Sequence, residues 1–345
     1  MTATLTAKDF ASDQEVRWCP GCGDYAILKA MQRTMVEIGA RPESTVFVSG
    51  IGCASRFPYY METYGFHTIH GRAAAVATGV KLANPALDVW VISGDGDALS
   101  IGGNHTLHLL RRNLNVQFIL FNNEIYGLTK GQYSPTSRRG TKSPSTPQGS
   151  LENPVSACAF ALGSGARFVA RSIDTAQAHL VDVLKRAHAH HGTSFVEVFQ
   201  NCVVFNDAVF ADFTEKAVAP ERQLQVEHGQ PLLFGERRER GLRIRPGTLE
   251  LEVVTVGETG NGPPPVPLDQ VLRHDETNRT LATLLVALEP PAFPVALGVL
   301  YCDPAPTYED LVHQQLAAAR APGVPVDVNA LLRRGPTWAV EADGL

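Results

Sequence analysis

Apolar positions in the first two thirds of the chain fall in short blocks with two alternating periods. Residues 45–48 (Thr-Val-Phe-Val), 89–93 (Val-Trp-Val-Ile-Ser) and 116–121 (Val-Gln-Phe-Ile-Leu-Phe) are continuous runs of strand length. Such runs suit strands buried on both faces. Residues 167–169 and 194–199 continue the series. Between these runs, residues 25–38, 71–82, 98–112, 154–162 and 175–190 read as helices. The small residues of 71–82 predict a tightly packed one. Strands that alternate with helices predict an α/β domain, doubly wound around a mainly parallel sheet.

Two stretches break this rhythm. Residues 126–153 are rich in Gly, Ser, Thr and Pro and too long for an ordinary connector. Loops of that size are usually functional or disordered, and this one is expected to close over a ligand. Beyond about residue 213 the pattern weakens, with prolines at 263–265 and 290–291 as breaks. The chain is therefore divided at residue 213. Residues 12–213 form the main domain, and 214–345 an irregular C-terminal extension that packs on the domain or on a partner.

Composition narrows the function. The 345 residues are 44% hydrophobic, enough for a sizeable core, and their net charge of −5 leaves no broad basic field for nucleic acid. No apolar run reaches membrane length, and residues 1–4 carry no charged-then-apolar signal. A cytoplasmic protein is expected. In that reducing compartment the six cysteines read as ligands or core residues rather than disulfides.

The chemistry gathers where strands end. Gly94-Asp95-Gly96-Asp97 follows one apolar run and Asn122-Asn123 another. Gly-Asp-Gly alone is a strand-to-helix turn with an Asp cap. The asparagine pair adds a second set of donors. In an open parallel sheet ligands sit beyond the carboxyl ends of the strands. Asp95 and Asn123 would meet there and offer oxygens to a hard cation such as Mg²⁺. Gly94 and Gly96 would let the backbone approach phosphate, at which a helix from residue 98 points its free N–H groups. Together the two pieces resemble the thiamine diphosphate motif, Gly-Asp-Gly closed by Asn-Asn about thirty residues later.

Cys19 and Cys22 form a Cys-x-x-Cys pair, Cys53 ends a Gly-Ile-Gly run and Cys202 follows the last strand. All four lie at predicted turns and can face one centre, whereas Cys158 and Cys302 read as packing. Spacing leaves zinc and iron–sulfur about level. A redox centre beside a thiamine site has a chemical purpose, so the reading is a Cys₄ iron–sulfur cluster. The rival is a non-oxidative thiamine-dependent decarboxylase with a structural zinc.

Five motifs stand in a fixed order: Trp18-Cys-Pro-Gly-Cys-Gly-Asp24, Gly50-Ile-Gly-Cys53, Thr68-Ile-His-Gly-Arg72, Gly94-Asp-Gly-Asp97 and Asn122-Asn-Glu-Ile-Tyr-Gly-Leu-Thr-Lys-Gly-Gln132. They resemble the beta subunit of a 2-oxoacid:ferredoxin oxidoreductase, nearest the 2-oxoglutarate type, over most of residues 12–215. The resemblance implies a [4Fe-4S] cluster on Cys19, Cys22, Cys53 and Cys202. It implies Mg²⁺ on Asp95, Asn123 and the Ile125 carbonyl. Thiamine diphosphate would be lined by Ile51, Gly52, Cys53, Ala54, Gly96, Asp97, Gly127 and Leu128. The implied reaction is oxidative decarboxylation of a 2-oxoacid with coenzyme A, electrons passing through the cluster to ferredoxin. Thiamine enzymes use a glutamate on the pyrimidine ring; in this family the alpha subunit carries it, so the chain alone is expected to be inactive.

His70 precedes a predicted helix and is placed beside the cofactor, with helix capping an equal reading. Arg56 and Lys130 lie just past cofactor motifs and are candidates for substrate carboxylates. The substrate reading is preferred for Lys130 and a solvated loop cation for Arg56; Arg138, Arg139 and Lys142 read as solvated, with contact to coenzyme A, ferredoxin or the partner as the alternative.

Overall fold

The computed structural model describes residues 5–257, 265–320 and 327–340. The N-terminal four residues and prolines 263 and 264, named above, lie outside the described residues. The chain divides into two units, Met1–Glu309 and Asp310–Leu345.

The first unit is built on eight strands: β1 (Thr45–Ser49), β2 (Tyr64–His67), β3 (Asp88–Gly94), β4 (Gln117–Asn122), β5 (Phe168–Ile173), β6 (Ser194–Phe199), β7 (Gln223–Val226) and β8 (Val295–Cys302). Their spatial order is β2-β1-β3-β4-β6-β5-β8-β7. From β2 to β5 every pairing is parallel. β8 runs antiparallel to β5 and parallel to β7. The mainly parallel, doubly wound sheet expected from the sequence is the fold observed.

Two cores follow from the strand period of two. Val89, Val91, Phe118 and Leu120 enter one core, shared with α2 (Ala73–Ala83), α4 (Gly103–Arg112) and α5 (Ala157–Gly163). Trp90, Ile92, Ile119 and Phe121 enter the other, with α1 (Asp24–Glu37) and α6 (Gln177–Ala189). After β1 the chain turns outward to β2, then returns to the opposite side of β1 with β3. The crevice beyond β1 and β3 is therefore a topological switch point, where open α/β sheets place ligands.

The helix expected over 98–112 is broken in two. α3 (Asp95–Leu99) begins within the Gly-Asp-Gly-Asp motif, and α4 starts at Gly103. A Cβ on Gly102 would come within 2.3 Å of the Asp97 carbonyl oxygen. The backbone crosses itself too closely there for a continuous helix.

Residues 126–153 open with a small hairpin, Ile125–Tyr126 against Gln132–Tyr133. Ser134, Thr136 and Ser137 are then buried, so this part of the segment is built into the fold. Past residue 213, β7 and β8 extend the main sheet. Three short antiparallel strands, Leu233–Phe234, Arg240–Ile244 and Leu251–Thr255, form a separate sheet. The helix Arg279–Val286 is capped by Asn278, whose side chain accepts from the Leu281 amide. The pattern weakens here because most strands have five residues or fewer. β8 is the exception, a long buried strand that the sequence pattern did not single out. In the second unit Asp327 caps the helix Val328–Leu332. No helix among the described residues is long and apolar enough to cross a membrane.

Candidate functional site

Two pockets meet at the carboxyl edge of β1, β3, β4 and β6. The smaller, about 180 Å³, is lined by Ile51, Gly52, Cys53 and Ala54 from the turn after β1 and by His70 from the turn after β2. Asp95, Gly96 and Asp97 line it from the start of α3, and Asn123, Ile125, Gly127 and Leu128 from the turn after β4. The larger, about 280 Å³, is lined by Cys19, Cys22, Cys53 and Cys202, with Arg56 and Lys130 on its wall. Cys53, Asn123, Gly127 and Leu128 border both. All the residues proposed from sequence for cluster, metal and cofactor are thus brought together. Arg56 and Lys130 border the cysteine pocket and not the smaller one.

Arg56 donates from Nη1 to the Arg17 carbonyl at 2.7 Å, which uses part of its guanidinium. Lys130 is exposed and held at φ +75°, a left-handed conformation uncommon outside glycine.

The two aspartates of the Gly-Asp-Gly-Asp motif do different work. Asp97 accepts on Oδ1 from the Ile51 and Gly71 amides and pairs there with His70 Nδ1 at 2.6 Å. Its Oδ2 accepts from the Ser93 hydroxyl at 2.6 Å. Asp97 therefore ties the turns after β1 and β2 to the end of β3. This geometry also explains Gly50, whose Cβ would lie 1.9 Å from Asp97 Oδ2. Asp95 uses Oδ2 alone for side-chain bonds, accepting from Ser134 Oγ and Thr136 Oγ1, each at 2.5 Å. Burial pushes its carboxyl up to about 6, against the pull of the two hydroxyls. Gly96 is needed by a neighbour: a Cβ there would strike the Tyr126 ring at 2.3 Å, and Tyr126 Oη donates to the Gly96 carbonyl at 2.8 Å.

Behind the metal-type donors lies a buried network that the sequence reading missed. Glu197 accepts from Asn122 Nδ2 and Arg171 Nε, both at 2.8 Å, and from Cys158 Sγ at 3.2 Å. Asn122 in turn accepts from Thr136 Oγ1 at 3.0 Å. Cys158, read as packing, thus belongs to a polar chain running from Arg171 to Asp95. Its signal was a charged residue in each of two buried strands, Arg171 in β5 and Glu197 in β6. Arg138, read as solvated, donates to the Val209 carbonyl and pairs with Glu124 at 3.3 Å.

Cys22 and Cys53 sit in a desolvated corner near Asp24, whereas Cys19 is exposed. Burial pushes Cys53 up to about 12, with Asp24 and Cys202 adding to the effect. Cys22 is raised further by burial and by Asp24. Such donors favour a cationic centre that would let them ionise. Gly127 leaves room between them, since a Cβ there would meet Cys202 Sγ at 3.5 Å and Cys53 Sγ at 3.6 Å. Among the described residues no three His, Cys, Asp or Glu side chains converge as a single metal ion requires.

Comparison with known proteins bears on this geometry. Residues 50–198 match the thiamine pyrophosphate enzyme family, C-terminal TPP binding domain. The chain is 47% identical to 2-oxoglutarate oxidoreductase subunit KorB of Mycobacterium tuberculosis, covering 97% of this chain and 88% of that one. The chain belongs to the beta subunits of the 2-oxoacid:ferredoxin oxidoreductases. Another such beta subunit, from Aeropyrum pernix (2-oxoacid:ferredoxin oxidoreductase 1), is 51% identical over 57% of this chain and 62% of its own length. Among solved structures, 2-oxoglutarate:ferredoxin oxidoreductase from Magnetococcus marinus superposes with a TM-score of 0.75 at 31% identity. That match covers 96% of this chain and 97% of the other, and that protein was solved with 2-oxoglutarate, coenzyme A and succinyl-CoA bound. The motif set thus belongs to an oxidoreductase beta subunit with a thiamine diphosphate-binding domain.

Proposed function

We propose that this beta subunit takes part in the oxidative decarboxylation of a 2-oxoacid, 2-oxoglutarate by preference, to its acyl-CoA and CO₂, with electrons leaving to ferredoxin. The observation that carries the reading is the shared wall of the two pockets, Cys53, Asn123, Gly127 and Leu128. A cluster held by Cys19, Cys22, Cys53 and Cys202 would adjoin a cofactor lying along Ile51–Ala54 and Gly96. When bound, thiamine diphosphate supplies an electron sink for decarboxylation and a [4Fe-4S] cluster a one-electron carrier.

The chain's own groups prepare that chemistry. Asp95, Asn123 and the Ile125 carbonyl present oxygens for Mg²⁺. Ser134 and Thr136 hold Asp95 Oδ2, which leaves Oδ1 without a side-chain partner and able to meet a cation. Asp97 keeps the turns after β1 and β2 against the pocket. Lys130 and Arg56 would meet the substrate's carboxylates, and a distal carboxylate such as that of 2-oxoglutarate suits the pair. The four thiols line one cavity that adjoins the cofactor pocket, a place where a redox cluster has a purpose and a structural zinc has none. The cofactor-binding residues are assigned to 12–213, in a sheet that β7 and β8 extend past that boundary. The alpha subunit would supply the pyrimidine-side glutamate, in a cytoplasmic assembly.

The test is anaerobic purification with and without the alpha-type chain, followed by assays on 2-oxoglutarate and pyruvate with coenzyme A and ferredoxin. A brown protein containing iron and sulfide, active only as the pair, is expected. Lys130→Ala should raise KM for 2-oxoglutarate more than for pyruvate. A colourless protein with one zinc, or robust turnover by the lone chain, would overturn the reading.

A further inference from the structure

We propose that Gln200 is a positioning residue that links the cluster site to the metal site, an inference that rests on the ligand sets proposed above. Gln200 directly follows β6 and is 1% exposed. Its backbone amide donates to the Asn122 carbonyl at 2.9 Å, which fixes it against the end of β4. The side-chain amide is then used on both sides. Nε2 donates to Cys22 Sγ at 3.2 Å and to the Asn201 carbonyl at 2.6 Å. Oε1 accepts from Asn123 Nδ2 at 2.8 Å.

The partners set the orientation. A sulfur and a carbonyl oxygen both call for a donor, and the Asn123 amide calls for an acceptor, so a flipped Gln200 would face like groups on every side. Because Asn123 Nδ2 is engaged, its Oδ1 is left for the cation side, where the nearby Ile125 amide also donates to it at 3.2 Å. One buried amide thereby does two things. It gives an N–H to a sulfur, which favours the more negative, reduced state of a cluster on that sulfur and raises its reduction potential. It also orients the asparagine whose oxygen is offered to Mg²⁺, the role partners of ligands commonly play.

The two effects separate by substitution in the assembled enzyme, purified anaerobically with its partner subunit. Gln200→Met loses both bonds. It should lower the cluster's reduction potential in an EPR-monitored titration and weaken Mg²⁺ binding, followed by thiamine diphosphate-dependent fluorescence quenching, about ten- to a hundred-fold. Gln200→Glu, studied at a pH where its carboxyl is ionised, keeps an acceptor for Asn123 but no donor for sulfur. It should leave Mg²⁺ affinity near wild type while the reduced cluster loses one exchangeable-proton coupling in pulsed EPR. A wild-type potential in Gln200→Met, or the same loss of Mg²⁺ affinity in both variants, would overturn the proposal. Should Gln200→Met fail to assemble, Gln200→Glu decides: loss of the coupling supports the proposal, and its retention refutes it. If the unsubstituted enzyme shows no cluster signal, the cofactor reading itself fails, and this inference with it.

Discussion

The carboxyl edge of β1, β3, β4 and β6 and the region around β8 are equally buried and oppositely built. At the first, Asp95, Asp97, Asn122, Glu197 and Gln200 are each at most 4% exposed, and each is held by other polar groups. Around β8 the interior is mostly apolar: Leu224, Leu242, Leu285, Leu297 and Leu300 are all fully buried, although the buried His274 bonds the Val299 carbonyl of β8. Burying an unpaired polar group is costly, so the first region holds together only while its network is complete. The second gains stability from buried apolar area and close packing. One edge of the sheet therefore carries the polar candidate site, and the strands at the other end hold the sheet together.

The sharpest way to break this comparison is to damage both regions by similar amounts. Glu197→Leu leaves Arg171 buried without its partner and should cost about 3–5 kcal/mol. It should also weaken Mg²⁺ binding, because Asn122 loses its anchor. Leu300→Ala should cost about 2–5 kcal/mol with Mg²⁺ binding unchanged. Denaturant unfolding and Mg²⁺ titration of the two variants read both quantities. Equal effects on Mg²⁺ affinity would erase the distinction.

A smaller effect sharpens it from the polar side. Removing two hydroxyls with Ser134→Ala and Thr136→Val frees Oδ2 of Asp95 while leaving the apolar packing nearly intact. Mg²⁺ affinity should fall about ten- to a hundred-fold, with a stability loss of about 1–3 kcal/mol from the buried oxygen left unpaired. Unchanged affinity would show that these hydroxyls merely pack the segment after the hairpin.

The smallest effect concerns the boundary between the regions. His190, at the end of α6, lies 3.8 Å from Cys302 Sγ of β8 and packs on Phe168. Burial, with His191 adding to it and Asp303 opposing, holds its imidazole down at about 4. The unfolded chain binds this proton more readily than the folded one. Stability is therefore full above the ordinary histidine range and falls as pH drops from about 6.5 toward 4, by at most about 1.4 kcal/mol per unit. His190→Gln should flatten that slope in denaturant melts at pH 7 and pH 5.

Much of the site could be read along the chain. The motifs at the ends of β1, β3 and β4 announced themselves because such positions need glycine, carboxylate, amide or thiol in short, local patterns. Local spacing also gave the central strands, since continuous apolar runs have few other uses. The break between α3 and α4 was not legible, because it arises from Gly102 meeting Asp97 and Gly71 across a turn. Glu197 and Arg171 stand out only as charges within buried strands, and Gln200 not at all, until strands distant in sequence are laid side by side.

Sequence alone thus named the candidate donors: four thiols, a carboxylate, an asparagine pair and glycines at strand ends. Only the tertiary structure decided how they are held. Hydrogen bonds between β4, β6 and the segment after the hairpin act through space, over separations of 14 to 77 residues. A one-dimensional pattern records which groups are available, whereas orientation depends on which backbone lies beside which, and folding alone sets that.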